Sequence, residues 1–458
     1  MNDTQEKLAL EGGRKTIEEP LPVAGFGADL IGEEEERNVL QTLRSRTMSR
    51  IGHPLADSFS YKLEQAIQQR FDVPHAVVVN SCASALQVAL VALGIGPGDE
   101  VIVPSIGWIC CATAAINIGA VPVPVEFDES LTPDPDDIEK KIGPQTRAIM
   151  VVHFRGQPAN MDRIMALARK HDLKVVEDVA QAFGGKYKGR YLGTIGDVGC
   201  YSFNMHKIIT SGEGGAVVMK DVKLYGRALA YSGMYPMILE KRVPGISGID
   251  VPMMNLRMPE LCAAVAYAQF GKLESIMSTL RARKQEVLEG LRGVPGLKWA
   301  PMHDSDGDCA YTLPLQFEDA EQAQFFVDAM RAEGANNMSN LRTGFSGGEV
   351  RGTVNLMTSE GQEPMMQRRL ALAESWRCVI ERYGPTEKFN PWKMLGAEPT
   401  PLPEGIIPLT QKRLARVVAI KINPQMEARH LQQVVRAAIK VARVMVQRFP
   451  QRASNNNP

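Results

Sequence analysis

A lysine with an unusual setting, Lys207, lies in the stretch SFNMHKIITSGEGG (202–215), between apolar neighbours and a glycine-rich turn. Most lysines keep the ammonium group in water and bury only the apolar stem. A lysine that is removed from water loses its proton more readily, and its neutral amine becomes a nucleophile for Schiff-base formation with a carbonyl group. Lys207 is therefore a candidate catalytic residue, and the alternative is a lysine that extends from a loop into solvent.

A carboxylate and a helix start add to this candidate. Asp178 stands near the end of the apolar run KVVEDVA, where a buried carboxylate needs a cation or a proton. The loop NSCASAL (80–86) enters an apolar-periodic helix with Asn and Ser at its cap, and the unpaired N–H groups of a helix start can bind a phosphate. Each feature alone also has an ordinary explanation, as a structural acid or a capped helix.

Together, the three features supply what pyridoxal 5'-phosphate (PLP) requires. The helix start would hold the phosphate, the acid would keep the pyridine nitrogen protonated, and the lysine would carry the aldehyde. Trp108, which follows the strand-like run VIVPS, offers a flat face for the ring, or else is a core aromatic. The sequence therefore predicts a PLP site.

The elements that position these residues follow from the hydrophobic pattern. Between residues 72 and 220, short β-branched runs alternate with helical patterns, which predicts an α/β sheet with crossover helices. The strands are almost continuously apolar, so we expect helices on both faces, and ligands at the carboxyl ends of the strands. The predicted strands are 75–79, 101–105, 121–127, 147–154, 174–180, 198–203 and 216–219.

The second half of the chain predicts a smaller domain. An amphipathic stretch at 258–293 leads out of the first domain, and a strand at 311–317, a helix at 320–334 and a closing helix at 427–449 follow. The predicted organisation is a flexible extension at 1–24, a PLP-binding domain at 25–290, a small domain at 291–449 and a flexible tail at 450–458.

Composition limits the function classes. The chain has 458 residues, with 52 basic and 52 acidic side chains, so no overall field attracts nucleic acid or anionic lipid. The N-terminal stretch lacks a signal-peptide core and no later run approaches a membrane span, so we expect a cytoplasmic protein without a membrane or nucleic-acid partner. The seven cysteines show neither metal-ligand spacing nor a disulfide framework. We expect no metal, and cysteines that are mostly buried small side chains.

Several motifs in order resemble the DegT/DnrJ/EryC1/StrS family, the PLP-dependent sugar aminotransferases of fold-type I. These motifs are NSCASAL, GIGPGDEVIVPS, EDVAQAFGG, GDVGCYSFNMHK and TSGEGGAVV. The resemblance covers residues 50–290 in register and the C-terminal part more loosely. It implies a mostly parallel central sheet flanked by helices, a smaller α+β C-terminal domain, and a homodimer with shared active sites.

The resemblance also implies a reaction and a role for each residue around the ring. An amino group would move from an amino-acid donor, typically glutamate, to a keto- or aldehydo-sugar or related carbonyl compound through a Schiff base of Lys207. Asp178 would pair with the pyridine nitrogen, Gln181 would lie near the ring hydroxyl, and Trp108 would stack on the ring. Members that remove a sugar hydroxyl carry histidine at the lysine position, so Lys207 favours transamination.

For the phosphate, the resemblance implies the backbone of Cys82 and Ala83 and the hydroxyl of Ser202, with Asn255 of NLRM contributed by the neighbouring subunit. Three features depart from the family pattern. The usual threonine is Ala83, which removes one hydroxyl. The common H-x-Y-G reads HFRG, so that Arg155 meets either an acidic substrate or a structural acid. The chain is also longer than usual for the family, mainly in its second half.

Two other functions stay open at the level of the sequence. The first is a PLP enzyme of specialised metabolism that eliminates or replaces a β- or γ-substituent of an amino acid. The second is a non-catalytic PLP-binding regulator, for which no basic or helix-turn-helix segment gives support. Release of a leaving group without net amino transfer would favour the first, and specific nucleic-acid binding without turnover would favour the second.

Overall fold

A seven-stranded sheet forms the centre of the first part of the chain. The computed structural model describes residues 7–22, 26–51, 54–235, 243–246, 249–340 and 408–450. All seven predicted strands are confirmed, with small shifts at their ends. Its strands are β1 His75–Val79, β2 Glu100–Pro104, β3 Val121–Val125, β4 Thr146–Val152, β5 Lys174–Asp178, β8 Val198–Ser202 and β9 Gly215–Met219. A short hairpin outside this sheet is formed by β6 Lys186–Tyr187 and β7 Arg190–Tyr191.

The sheet is mostly parallel, as predicted. Its strand order is β1-β9-β8-β5-β4-β2-β3, and β9 alone among these strands points in the opposite direction to the rest. The strands β8, β5, β4, β2 and β3 are parallel, so their carboxyl ends meet at one edge. Residues that follow these ends are thereby brought together although they are distant in sequence.

Helices cover both faces of this sheet, which confirms the expectation from its apolar strands. In β1, Val78 belongs to one buried apolar cluster and Val77 and Val79 to another, because side chains alternate along a strand. No helix within the described ranges has the length and apolar character of a bilayer span. The helices are α1 Glu33–Ser45, α2 Phe59–Phe71, α3 Cys82–Ala92, α4 Cys110–Ile116, α5 Pro135–Lys141, α6 Met161–His171, α7 Val222–Ser232, α8 Glu260–Gly271 and α9 Leu273–Gly290.

A second, antiparallel sheet of four strands follows, with order β10-β11-β13-β12. This arrangement of a small sheet with helices is the predicted α+β unit, while the exact domain boundaries stay a prediction. The predicted tail after residue 450 lies outside the described residues. The elements are β10 Lys298–Trp299, β11 Thr312–Gln316, α10 Ala320–Ala332, β12 Met338–Asn340, α11 Pro408–Ala415, β13 Val417–Lys421 and α12 Ala428–Arg448.

Residues 7–22 differ from the flexible extension that the sequence predicts, because they are anchored on the second unit. Leu8 and Ile17 are buried in the main apolar cluster. The buried carboxylate of Glu333, just after α10, accepts the backbone amide of Ala9 at 2.8 Å. The burial of these apolar side chains and the hydrogen bond from Ala9 to the distant Glu333 hold the segment in place.

Candidate active site

Three residues that the sequence predicts to surround the PLP ring lie at the carboxyl edge of the central sheet. Asp178 is the last residue of β5, Trp108 follows β2, and Lys207 follows β8. In the parallel pairing of β5 with β8, Asp178 stands opposite Cys200. The topology therefore gathers the three residues, as the sequence predicts, on one side of the sheet.

Asp178 is only 2% exposed, so its carboxylate needs partners. Its Oδ1 accepts the amide of Ala180 at 2.9 Å, and its Oδ2 accepts the thiol of Cys111 at 3.1 Å. A hydrogen bond with Cys110, burial and the charge of Asp178 all raise the pKa of Cys111, so the thiol keeps its proton and can donate it. This contact was not expected, since the sequence predicts the cysteines to be buried small side chains, and the adjacent pair Cys110 and Cys111 is the one sequence feature that points to it.

The start of α3 presents backbone N–H groups that could bind an anion. Ser81 caps the helix with its side chain, and the amides of Cys82 and Ala83 have no acceptor inside the helix because they belong to its first turn. Gly215 lies beside this turn, where a Cβ atom would come within 2.7 Å of the Ser81 carbonyl group. Ser202 pairs with Gly215 across β8 and β9, so its hydroxyl lies near the same turn. The structure thus places Cys82, Ala83 and Ser202 around the same turn, and their contact with a phosphate stays a prediction.

Lys207 is half-buried in a turn that is fixed from two sides. Its amide donates to the carbonyl of Asn204 at 2.9 Å, and its own carbonyl accepts the amide of Gly27 at 3.2 Å. Burial and the charge of Asp178 raise the pKa of Cys82 well above its ordinary value, while Lys207 acts in the opposite direction. One thiol at the start of α3 therefore lies within the electrostatic reach of both the carboxylate and the lysine.

The sequence also predicts Trp108 and Gln181 beside the PLP ring. Trp108 is 58% exposed, so it is not the core aromatic that the sequence left as an alternative. The side-chain oxygen of Gln181 accepts the amide of Arg155 at 3.0 Å, which fixes the glutamine beside the end of β4. Arg155 itself has a left-handed backbone, with φ of 52°, and its guanidinium lies 5.5 Å from the centre of the Phe154 ring.

Asn255 lies at the surface of the chain, next to the end of α7. Its neighbours are fixed there, because the amides of Met254 and Leu256 donate to the carbonyls of Tyr231 and Ser232, both at 2.9 Å. The exposed position suits a contact with another subunit. Its role at a shared site stays a prediction.

A buried pair that the sequence does not predict, His153 and Glu177, joins β5 to the residue after β4. Glu177 accepts Nε2 of His153 at 3.0 Å, and His153 Nδ1 accepts the amide of Ala159, so the proton lies on Nε2. Burial acts to raise the pKa of Glu177, but His153 and the nearby amides outweigh it, and the pKa is lowered. A signal was available, since two consecutive carboxylates in a buried strand point to opposite faces and both need partners. Glu177 also accepts the amides of Gly193, Ile195 and Gly196.

This arrangement has three chemical capacities on one edge of a sheet. The start of α3 can bind an anion, Asp178 can hold a cation or a protonated heterocycle, and Lys207 presents an amine. Among the described residues, no cluster of His, Cys, Asp and Glu is able to hold a metal ion.

Solved structures share this fold. The aminotransferase from Psychrobacter cryohalolentis superposes with a TM-score of 0.70, over 93% of this chain and 99% of that one, at 24% identity. At this identity the similarity establishes the fold, which is that of fold-type I aminotransferases, and it agrees with the predicted fold class.

Curated relatives are more similar in sequence. The GDP-perosamine synthase of Escherichia coli O157:H7 is 39% identical over 265 residues, which is 58% of this chain and 69% of that protein. The dTDP-3-amino-3,4,6-trideoxy-alpha-D-glucose transaminase of Streptomyces venezuelae is 39% identical over 270 residues, 56% of this chain and 67% of that protein. A family model matches residues 29–340. The chain belongs to the DegT/DnrJ/EryC1/StrS aminotransferase family, as its motifs indicate.

Proposed function

We propose that this aminotransferase binds PLP covalently through Lys207 and moves an amino group from an amino-acid donor, with glutamate as the first candidate, to the carbonyl carbon of a keto- or aldehydo-sugar. The observation that carries the proposal is the convergence of Asp178, Lys207 and the first turn of α3 at the carboxyl edge of the central sheet. A phosphate, a ring nitrogen and an aldehyde are the three groups of PLP that need such partners.

The residues fit these three groups. The amides of Cys82 and Ala83 would bind the phosphate, and the absence of a side chain at Gly215 allows β9 to lie against the same turn. Asp178 is buried, and among the described residues its two carboxylate oxygens accept an amide and a weak thiol donor, which leaves acceptor positions for the N–H of a protonated ring nitrogen. When bound, PLP withdraws electrons from the amino-bearing carbon and so makes its proton acidic.

Proton transfer then falls to Lys207. With its Nζ displaced from the aldehyde by the amino group of the donor, the Lys207 amine would take the proton from the amino-bearing carbon of the donor, and in the second half-reaction it would give a proton to the acceptor carbon that receives the amino group. The hydrogen bonds of its backbone to Gly27 and Asn204 keep the turn in place while the side chain moves. Trp108 would cover one face of the ring and limit the access of water to it.

The choice of a sugar acceptor is supported by the relatives. The names of both curated relatives contain a nucleotide-linked amino sugar. Elimination or replacement chemistry and a non-catalytic regulator, the two alternatives from the sequence, are not favoured by these comparisons. The homodimer with shared sites and the cytoplasmic location stay predictions.

The experiment is the visible absorbance of the purified protein with PLP, before and after glutamate is added. We expect a yellow band that decreases with glutamate in the wild type, and no such band in Lys207→Ala. Lys223→Ala, an exposed lysine of α7, is the matched control and should behave as the wild type. A wild-type protein without the band would overturn the cofactor assignment, and a band that glutamate leaves unchanged would exclude glutamate as donor.

A further inference from the structure

A short segment ahead of α1, residues 26–30, contacts the second unit of the chain. The ring of Phe26 packs edge-on against that of Tyr311, the residue before β11, with 5.2 Å between the ring centres. The side-chain amide of Gln425, which lies between β13 and α12, donates to the carbonyl of Asp29 at 3.0 Å. Residues 26–30, here called the bridging segment, are thus attached to the small sheet and to the loop before its closing helix.

The bridging segment also contacts the first unit, at the proposed catalytic lysine. The amide of Gly27 donates to the carbonyl of Lys207 at 3.2 Å. The ammonium group of Lys272, between α8 and α9, donates to the carbonyl of Leu30 at 2.7 Å. The same five residues therefore connect the second unit with the turn that carries Lys207.

Gly27 is buried directly against the backbone that follows Lys207. A Cβ atom at residue 27 would be 2.8 Å from the Cα atom of Ile209 and 2.8 Å from the backbone nitrogen of Thr210. The φ of Gly27 is −70°, which any residue adopts, so glycine is required here for space and not for conformation. A side chain at this position would push the lysine turn away from the bridging segment, because backbone atoms cannot rotate aside.

The turn at residues 203–214 depends on this contact for its position at the lysine. Within the part of the chain that the structure describes, its other hydrogen bonds join the turn to itself or to Ser202, such as those from Phe203 to Gly214 and from Asn204 to Ser202. Ile208 and Ile209 bury their side chains in the main apolar cluster and so hold the base of the turn. The hydrogen bond from Gly27 holds the turn at Lys207 itself.

We propose that Gly27 is a positioning residue for the catalytic Lys207, and that the bridging segment sets the position of the lysine turn relative to the second unit. The catalytic part of this proposal rests on the proposed function, in which the Lys207 amine carries the aldehyde and then transfers a proton. Both tasks require its Nζ at a defined place, and a displacement of about 1 Å can slow a reaction by orders of magnitude. The contacts of Gly27 and Phe26 keep the turn from shifting when the side chain moves.

The first test is hydrogen exchange in the PLP-free protein, which needs no cofactor chemistry. We expect the amides of residues 203–212 to exchange about tenfold faster in Gly27→Ala, because the turn loses its distant contact. Phe26→Ala leaves Gly27 intact but removes the ring contact with the second unit, so we expect exchange there to rise about threefold. The amides of residues 82–92 in α3 should exchange as in the wild type, whereas general destabilisation would accelerate them too.

Each variant has a matched control. Gly271→Ala adds a methyl group where open space surrounds the glycine. Phe449→Ala removes a half-buried ring with an edge-on partner of its own, Phe325, at 5.6 Å. Both controls should leave exchange at residues 203–212 unchanged. Wild-type exchange of the turn in Gly27→Ala and Phe26→Ala, or equal acceleration of α3, would overturn the proposal, and Phe26→Ala decides it if Gly27→Ala does not fold.

The second test is the rate at which saturating glutamate decreases the yellow band of the PLP-loaded protein. We expect this rate to fall about tenfold in Gly27→Ala and to stay at the wild-type value in Gly271→Ala, since only the former displaces the lysine turn. A wild-type rate in Gly27→Ala despite faster exchange would refute the positioning role. A wild-type protein that shows no yellow band would instead refute the proposed function, and the exchange result would still decide whether the bridging segment holds the turn.

Discussion

Asp178 is oriented by one contact on each carboxylate oxygen, from the Ala180 amide and the Cys111 thiol. A thiol is a weak donor, so the contact at Oδ2 orients the carboxylate and leaves its other acceptor positions for a stronger donor. The pKa of Cys111 is raised, mainly by a hydrogen bond with Cys110 and by burial, and this keeps the donor protonated at neutral pH. Cys111 is therefore a positioning residue for the acid that we propose for the ring nitrogen.

We expect Cys111→Ala to weaken PLP binding about fivefold, because a lost hydrogen bond to a buried group costs about 1 kcal/mol. Cys111→Ser keeps a hydroxyl donor and should bind PLP with nearly wild-type affinity. The dissociation constant can be measured by absorbance titration with PLP. Cys262→Ala, a half-buried thiol on α8, is the control, and an unchanged constant in Cys111→Ala would show that the contact does not position Asp178.

The sequence indicates Asp178 and Lys207 because each is a charge in an apolar setting, which is costly unless it has a function or a partner. The partner itself is harder to predict. Cys111 and Asp178 are 67 residues apart in sequence, and their contact depends on how α4 is placed against β5. The link from Gly27 to Lys207 has the same origin, since only the folded chain brings the two segments together.

At the scale of elements, the phosphate site depends on how closely β9 approaches the first turn of α3. Gly215 pairs with Val79 on one side and with Ser202 on the other, so it lies between the helix start and the serine hydroxyl. A Cβ atom there would be 2.7 Å from the Ser81 carbonyl and 2.7 Å from the carbonyl oxygen of Tyr201. Both are backbone groups, which cannot turn away as a flexible side chain can.

Gly215→Ala should therefore separate β9 from the start of α3. We expect it to lower the free energy of unfolding by about 2 kcal/mol, as overpacking of a tight site does, and to weaken PLP binding as well. Urea unfolding and absorbance titration with PLP measure the two effects. Gly96→Ala is the matched control because open space surrounds that position, and equal stability of the two variants would refute the close approach.

The strands were predictable because each is a short apolar run between turn residues, and the parallel order of the sheet explains why their ends meet. The hydrophobic pattern does not reveal which strands are neighbours in the sheet. The pairing of β8 with β9, which places Ser202 beside Gly215, therefore could not be predicted from it. It also does not reveal the pairing of His153 with Glu177, which depends on β4 and β5 being adjacent.

At the scale of the whole molecule, residues 7–22 are attached to the second unit through the buried carboxylate of Glu333. Glu333 accepts the amides of Ala9 and Thr16 and forms a buried ion pair with Lys440 at 3.0 Å. The sequence predicts a flexible extension over residues 1–24 because polar and charged side chains dominate its start, and it gives no signal that apolar side chains such as Leu8 and Ile17 have a docking site. That site exists only after α10 and α12 have packed together.

The same contact makes the attachment of this segment dependent on pH. Burial acts to raise the pKa of Glu333, but the amides of Ala9 and Thr16 and the ammonium group of Lys440 outweigh it, so the pKa lies below its ordinary value of 4.5. A carboxylate whose pKa is lowered by folding adds stability above its unfolded pKa, and this stability is lost as the pH falls through the folded pKa. The segment should therefore detach in acid.

Hydrogen exchange of the amides in residues 7–22 tests this expectation. Exchange, corrected for its intrinsic dependence on pH, should increase below about pH 4.5 in the wild type. Glu333→Gln should show increased exchange already at pH 7, and should unfold about 3 kcal/mol more easily because Lys440 loses its buried partner. The double variant Glu333→Gln with Lys440→Met removes the unpaired charge and should recover part of the stability. Exchange that is independent of pH in the wild type would mean that the apolar side chains alone hold the segment.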